Sequence, residues 1–146
     1  MHANVVLQLT GPMDHLRLVW QTGETLLEPV TFEEDNEGNR YNVLLALQEM
    51  VTNVLRHGYD LDESMPIEVE FEVSSQRLVI ELRDRGAEFN PLDFDSEAMA
   101  SEEMPTSAGG FGIHIAKMVM DEVEYERRDG WNCLRLTKDV LIQARV

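Results

Sequence analysis

Between Ile67 and Val73 the chain alternates: Ile67, Val69, Phe71 and Val73 fall on one side, Glu68, Glu70 and Glu72 on the other. A period of two puts successive side chains on opposite faces of a strand. Such a strand needs one face in a core and the other in water, the habit of antiparallel rather than parallel sheets. Ser74-Ser75-Gln76 turns the chain, and Leu78, Ile80 and Leu82 carry the pattern on as the hairpin partner. Hydrophobic residues make up 43% of the 146. That is enough to bury a real core, and it excludes wholesale disorder.

The remaining elements follow from shorter signals. Asn4–Thr10 alternates around Val5, Leu7 and Leu9 and reads as a first strand. Gly11-Pro12 breaks it, and Asp14 stands where it caps a helix carrying Leu16, Val19 and Trp20. The stretch from Glu28 to Asn39 is polar and acidic and reads as a loop. The strongest helix runs from Arg40 to about His57. From Asn90 to Ala108, Pro, Ser, Met and acidic residues follow no period, and so long a loop inside a compact domain is usually functional. A helix from about Gly112 to Asp121 comes next. The pair Val123–Arg127 and Cys133–Thr137 closes the chain as a hairpin around Asp129-Gly130. Strands grouped after helices predict an α+β fold. Its expected form is one domain over residues 1–146, a two-layer sandwich with helices on one face of a mainly antiparallel or mixed sheet.

A formal net charge of −16 argues against direct nucleic-acid binding, which needs clustered Lys and Arg, and suits a basic protein partner. With Cys133 the only cysteine, no intrachain disulfide forms, and a reducing compartment is expected. The N-terminal residues do not read as a signal peptide, and no apolar run reaches the ~20 residues of a membrane span. A cytoplasmic protein is the expectation.

Turning the long helix 100° per residue from Glu49 puts Leu47, Val51 and Val54 in a core stripe and Glu49, Asn53 and Arg56 on the other side, with His57 near them. Ala46 and Met50 flank that polar stripe, so its edge is not an ordinary wet surface. A carboxylate one turn from a carboxamide is a useful pair. Glu49 can orient or deprotonate a hydroxyl, and the Asn53 oxygen is a hard ligand for a Mg²⁺ held mostly by water and phosphate. At the end of the second hairpin strand, Asp84 can accept from an exocyclic amine, and Gly86 lets backbone approach a flat ring. A simple turn explains the same two residues. Gly109, Gly110 and Gly112 open a helix, which suits either a hinge or an anion at the helix N-terminus.

Taken in order and spacing, Glu49-x-x-x-Asn53, Asp84-x-Gly86-x-x-Phe89 and Gly110-x-Gly112 resemble the Bergerat-type ATP-binding fold of histidine kinases, DNA gyrase and MutL. Within that superfamily the chain is similar to the anti-sigma-factor serine/threonine kinases of the RsbW and SpoIIAB type. The likeness is closest in EMVTNVLRHGY, RDRGAEFNP and GGFGIHIAKMVMDEVEYERRDGWNCLRLTK. The resemblance implies Glu49 as general base, Asn53 as Mg²⁺ ligand, Asp84 as the adenine-reading carboxylate and Gly86 as its close-packed companion. It implies that Gly110 and Gly112 hold phosphate behind a lid over Asn90–Gly109, and that Arg56 or His57 faces phosphate. Asn132 falls where the last hairpin reaches toward adenine. Phe111 and His114 depart mildly from the family pattern. The implied cofactors are ATP and Mg²⁺. The implied partners are a sigma factor and a STAS-domain anti-anti-sigma antagonist, with a homodimer among the family's habits. The alternative is a nucleotide-gated binding module without useful transfer.

Overall fold

The computed structural model describes residues 2–10, 14–34, 36–59, 62, 64–93 and 110–142. The expected lid therefore falls inside the description only as far as residue 93, and 94–109 lie outside it. In chain order the elements are β1 (Ala3–Leu9), α1 (His15–Leu27), β2 (Val30–Thr31) and α2 (Asn36–Asn53), which continues into a π-wound turn (Val54–Gly58). Then come β3 (Ile67–Val73), β4 (Arg77–Asp84), a 3₁₀ turn (Pro91–Asp93), α3 (Gly110–Val119), β5 (Glu122–Arg128), β6 (Trp131–Asp139) and β7 (Leu141–Ile142).

The main sheet has the order β1-β3-β4-β6-β5, and every pairing in it is antiparallel. Its apolar face is built in cross-strand rows. One row joins Phe71, Ile80, Leu136 and Val123, and the next joins Val69, Leu82, Leu134 and Tyr125. Ile67, Val69, Phe71, Val73, Leu78 and Ile80 are completely buried. Against this face pack Val43, Leu44, Leu47 and Val51 of α2, together with Val19 and Leu27 of α1. Each fully buried side chain of this size contributes ~1.5–3 kcal/mol relative to its exposed state. The α+β fold with helices layered on an antiparallel sheet is thus the observed architecture.

The opposite face carries charge. Glu70 and Glu81 stand directly across from each other, an arrangement that repels unless a cation intervenes. Arg83 supplies it, reaching Glu68 at 3.0 Å, Glu70 at 2.8 Å and Glu81 at 3.1 Å. Its hydrogen bonds, with one from Asn4, hold the Glu70 carboxyl below its ordinary range.

Three local devices act where sequence places them. The Asp14 side chain caps α1 by accepting from the Arg17 amide at 3.0 Å. Asp129 (φ 52°) and Gly130 (φ 83°) make the tight turn of the β5–β6 hairpin, the left-handed pair that a two-residue loop needs. Ser74 closes the β3–β4 turn, its amide donating to the Arg77 carbonyl at 2.9 Å. Two features differ from expectation. The segment from Glu28 to Asn39 is not all loop: Val30 and Phe32 are buried, Val30–Thr31 pairs with Leu141–Ile142, and α2 begins at Asn36 rather than Arg40. Among the described residues no helix is long and apolar enough to cross a membrane.

A close approach of α2 at Gly112 sets the position of α3. A Cβ on Gly112 would lie 2.8 Å from the Glu49 Cβ and 3.2 Å from the Ala46 carbonyl oxygen. Neither atom is the end of a flexible side chain, so the helices would have to separate. Gly112→Ala should therefore lower unfolding stability by ~1–3 kcal/mol, measured by denaturant titration. Gly58→Ala is the control, since a Cβ there meets nothing nearer than 3.8 Å and should stay near wild type. If both variants were equally stable, the α2–α3 contact would not be the tight one described.

Candidate functional site

A cavity of about 470 Å³ opens where the C-terminal half of α2, the first turns of α3 and the end of the sheet diverge. Met50, Val54, Leu82, Ile113 and Leu134 give it apolar walls, and Asn53, Asp84, Glu88, Tyr125 and Asn132 give it polar groups. No Lys or Arg lines it among the described residues. Phe89, 53% exposed, stands at its solvent side with Pro91.

The apolar rows of the sheet end in a polar one. Beyond Val69–Leu82–Leu134–Tyr125, the next cross-strand row is Ile67–Asp84–Asn132–Arg127. Asp84 is 8% exposed and Asn132 is 6% exposed. Burial pushes the Asp84 carboxyl up, while Asn132, the Gly86 amide and the Arg127 charge pull it down, and burial prevails. Both described hydrogen bonds to the carboxylate fall on Oδ1, from Gly86 N at 2.9 Å and Asn132 Nδ2 at 3.0 Å. The capacity that remains for a ligand is on Oδ2.

Asn132 also bonds the loop that follows β4. Its Nδ2 donates to the Ala87 carbonyl at 2.9 Å, and its Oδ1 accepts from Tyr125 Oη at 2.6 Å, Arg127 Nη1 at 3.1 Å and Phe89 N at 3.3 Å. Arg127 Nη1 donates in addition to the Gly86 carbonyl at 2.7 Å. Gly86 is buried because the chain passes close to Gly58: a Cβ there would lie 3.0 Å from Asp84 Oδ1 and 3.2 Å from the Gly58 carbonyl oxygen. Tyr59 fixes that approach. Its hydroxyl accepts from the Arg85 amide at 2.5 Å and donates to the Pro66 carbonyl at 2.6 Å.

The structure thus brings Asn53, Asp84 and Asn132 to one cavity. Glu49 is half-buried one turn before Asn53, beside Gly112 rather than in the cavity lining. Gly110 begins α3 and Gly112 completes its first turn, so the amides left without intrahelical acceptors lie just before Ile113, which lines the cavity. Arg56 is exposed and does not line the cavity. The projection that placed it beside Asn53 assumed α-winding. From Val54 on the turn is π-wound, with Tyr59 N bonded to the Val54 carbonyl at 2.9 Å, so each residue advances less around the axis. The His57 side chain lies outside the described residues. Tyr125, Arg127, Glu88 and Tyr59 are absent from the sequence expectation. The first two had a signal: Val123, Tyr125 and Arg127 alternate, so a hairpin facing Asn132 inward also turns Tyr125 and Arg127 toward that face.

Residues 13–138 match the histidine kinase-like ATPase domain, and the chain belongs to that family. Among its relatives is the serine/threonine-protein kinase BtrW of Bordetella bronchiseptica, 26% identical over 98 residues, which are 67% of this chain and 69% of BtrW. The anti-sigma F factor of Clostridium perfringens is 27% identical over 89 residues, 60% of this chain and 64% of that protein. The solved structure of the RsbU and RsbW domains of a Mycobacterium tuberculosis protein superposes with a TM-score of 0.63 at 18% identity. That match covers 98% of this chain and 34% of the longer one, and it shows a shared fold.

The buried carboxylate gives a stability prediction with a definite sign. Because folding raises the Asp84 pKa, the folded chain binds a proton more readily than the unfolded one. Charge at this position therefore costs stability above the raised pKa, and the cost disappears as pH falls through it. Asp84→Asn keeps an Oδ1 acceptor for Gly86 and Asn132 and removes the charge. Its Tm should match or exceed wild type at pH 7, with any excess shrinking on acidification. A variant that melts well below wild type at pH 7 would show that the charge itself stabilises the fold.

Proposed function

We propose that the chain binds Mg·ATP in this cavity and acts as an anti-sigma factor and protein serine/threonine kinase, phosphorylating a STAS-domain antagonist. The observation that carries the reading is a buried carboxylate with an oxygen to spare, in one mainly apolar cavity with Asn53, in a chain of the histidine kinase-like ATPase family. Asp84 Oδ2 suits an adenine amine, and the apolar walls suit a purine. The α3 N-terminus suits phosphate oxygens. Asn53 fits a Mg²⁺ ligand: its amide oxygen is hard and neutral, and no cluster of three His, Cys, Asp or Glu occurs among the described residues. Water and phosphate would supply most of such a shell. Bound there, Mg²⁺ offsets phosphate charge, which an acidic chain does poorly by itself.

In this reading the serine or threonine oxygen of the antagonist bonds the γ-phosphorus as the bond to ADP breaks, and Glu49 takes the hydroxyl proton. Positioning and charge stabilisation do most of the work. The names of BtrW and of the anti-sigma F factor support both the kinase and the sigma-factor partner. We extend the reading to one domain over residues 1–146, to the cytoplasm, and to self-association as in the resembled family. The nucleotide-gated binder without transfer is retained because Glu49 is not in the cavity lining.

Incubation with γ-labelled ATP and a STAS-domain protein separates the two: label moves to the antagonist only in the kinase reading. Glu49→Gln should keep ATP affinity and slow transfer by ~10²–10⁴-fold; unchanged transfer would remove Glu49 from the chemistry. Asn53→Ala should lose Mg·ATP binding by calorimetry, and unchanged affinity would sink the ligand assignment. In Asp84→Asn, Gly86 N and Asn132 Nδ2 both need the acceptor, so the new amide points its nitrogen the other way. ATP should weaken while GTP, which presents a carbonyl at the same place, gains relative to it. Equal loss of both would count against adenine reading.

A further inference from the structure

We propose that Asn132 does not touch the nucleotide but is a positioning residue, which aims the Asp84 carboxylate and is itself held by Tyr125 and Arg127 of β5. The inference rests on adenine nucleotide binding in the cavity. A carboxamide has two lone pairs on oxygen and two N–H donors. At Asn132 the oxygen faces three donors, Tyr125 Oη, Arg127 Nη1 and Phe89 N. The nitrogen faces three acceptors, Asp84 Oδ1 and the Ala87 and Gly86 carbonyls at 3.0, 2.9 and 3.4 Å. Arg127 and the Phe89 amide only donate, and the carbonyls only accept, so the amide has one possible orientation. All its capacity is spent inside the protein. A base contact would have to break a bond that fixes either Asp84 or the loop from Gly86 to Phe89.

The direct reach toward adenine expected at this position is thus replaced by an indirect one. Arg127 has two bonds in the same network, one to Asn132 and one to the Gly86 carbonyl. It fixes both the partner of Asp84 and the turn that returns an amide to it. Among the described residues, the charged and titratable groups around Asp84 are Arg127 and Tyr125 from β5, Arg85 and Glu88 from the loop after β4, and Tyr59 just beyond the π turn. Of these, Arg127 favours the ionised carboxylate, as do the hydrogen bonds from the Asn132 and Gly86 amides.

The test uses the full chain with two nucleotides, ATP and purine riboside triphosphate, which lacks the 6-amine. Affinities are measured across pH for wild type, Asn132→Ala and Arg127→Gln. Wild type should bind ATP more tightly, and lose that preference as pH falls through the Asp84 pKa. Asn132→Ala should lose about 10-fold for ATP, the scale of one hydrogen bond to a charged group, and little for the amine-free nucleotide. Its acid loss of ATP binding should begin at higher pH, because a group that holds the Asp84 pKa down has gone. Arg127→Gln, at a largely solvent-exposed residue, should move the same two readouts less, and it decides the matter if Asn132→Ala does not fold. Equal losses for both nucleotides, or an acid limb that does not move, would overturn the positioning role. Failure of wild type to bind ATP at all would instead overturn the functional reading beneath it.

Discussion

Burying the Asp84 carboxylate at the end of β4 imposes most of what surrounds it. An ionised group removed from water has to be met by donors. Here they come from two directions: the β4–β6 register delivers the Asn132 amide, and the chain doubles back so that Gly86 offers its own N–H. Doubling back so tightly brings Gly86 against Gly58, which a side chain would block. Tyr59 then locks the end of α2 to the loop. The geometry of the cavity is in this sense the solution to one desolvation problem. Both of those bonds to the carboxylate fall on Oδ1, which leaves Oδ2 for one more donor.

Helix α2 serves two neighbours at once. Leu47 and Val51 pack on the sheet, while Ala46, Glu49 and Met50 face α3 across Gly112. Because α3 lies so close there, the two helices must part further along, and Met50 and Asn53 on one side and Ile113 on the other border the opening. The glycine that sequence marks as a phosphate-loop residue is thus also a packing requirement. The two roles are compatible: a helix N-terminus can hold an anion only if something fixes where that terminus lies.

Local patterns made the main sheet, the α1 cap, the β5–β6 turn and the core stripe of α2 legible, because in each the deciding residues are near neighbours in sequence. Val30 and Phe32 were hidden among acidic residues. Val30 pairs with Ile142, and no local period reports a partner so far along the chain. The angular position of Arg56 differs for another reason, since a helical projection holds only while the winding does. Asn53 and Asp84 stand in quoted motifs, while Asn132 comes from the family resemblance alone. What they share is a cross-strand row and a helix face, and only the assembled register brings in Tyr125 and Arg127.

How a chain of net charge −16 accommodates a polyanion follows from where its charges stand. Glu68, Glu70, Glu72 and Glu81 lie on the sheet face away from the helices, several of them tied to Arg83. Arg83 offsets part of that charge where it stands. At the cavity itself the described charged groups are two carboxylates, Asp84 and Glu88, with the first turn of α3 beside them. Carboxylates favour donors and repel phosphate, and helix amides do the reverse, so under the proposed function they would set the base of a nucleotide toward the sheet and its phosphates toward α3. Under the same proposal the net charge would act at longer range, on the approach of a basic partner, where orientation matters less than sign.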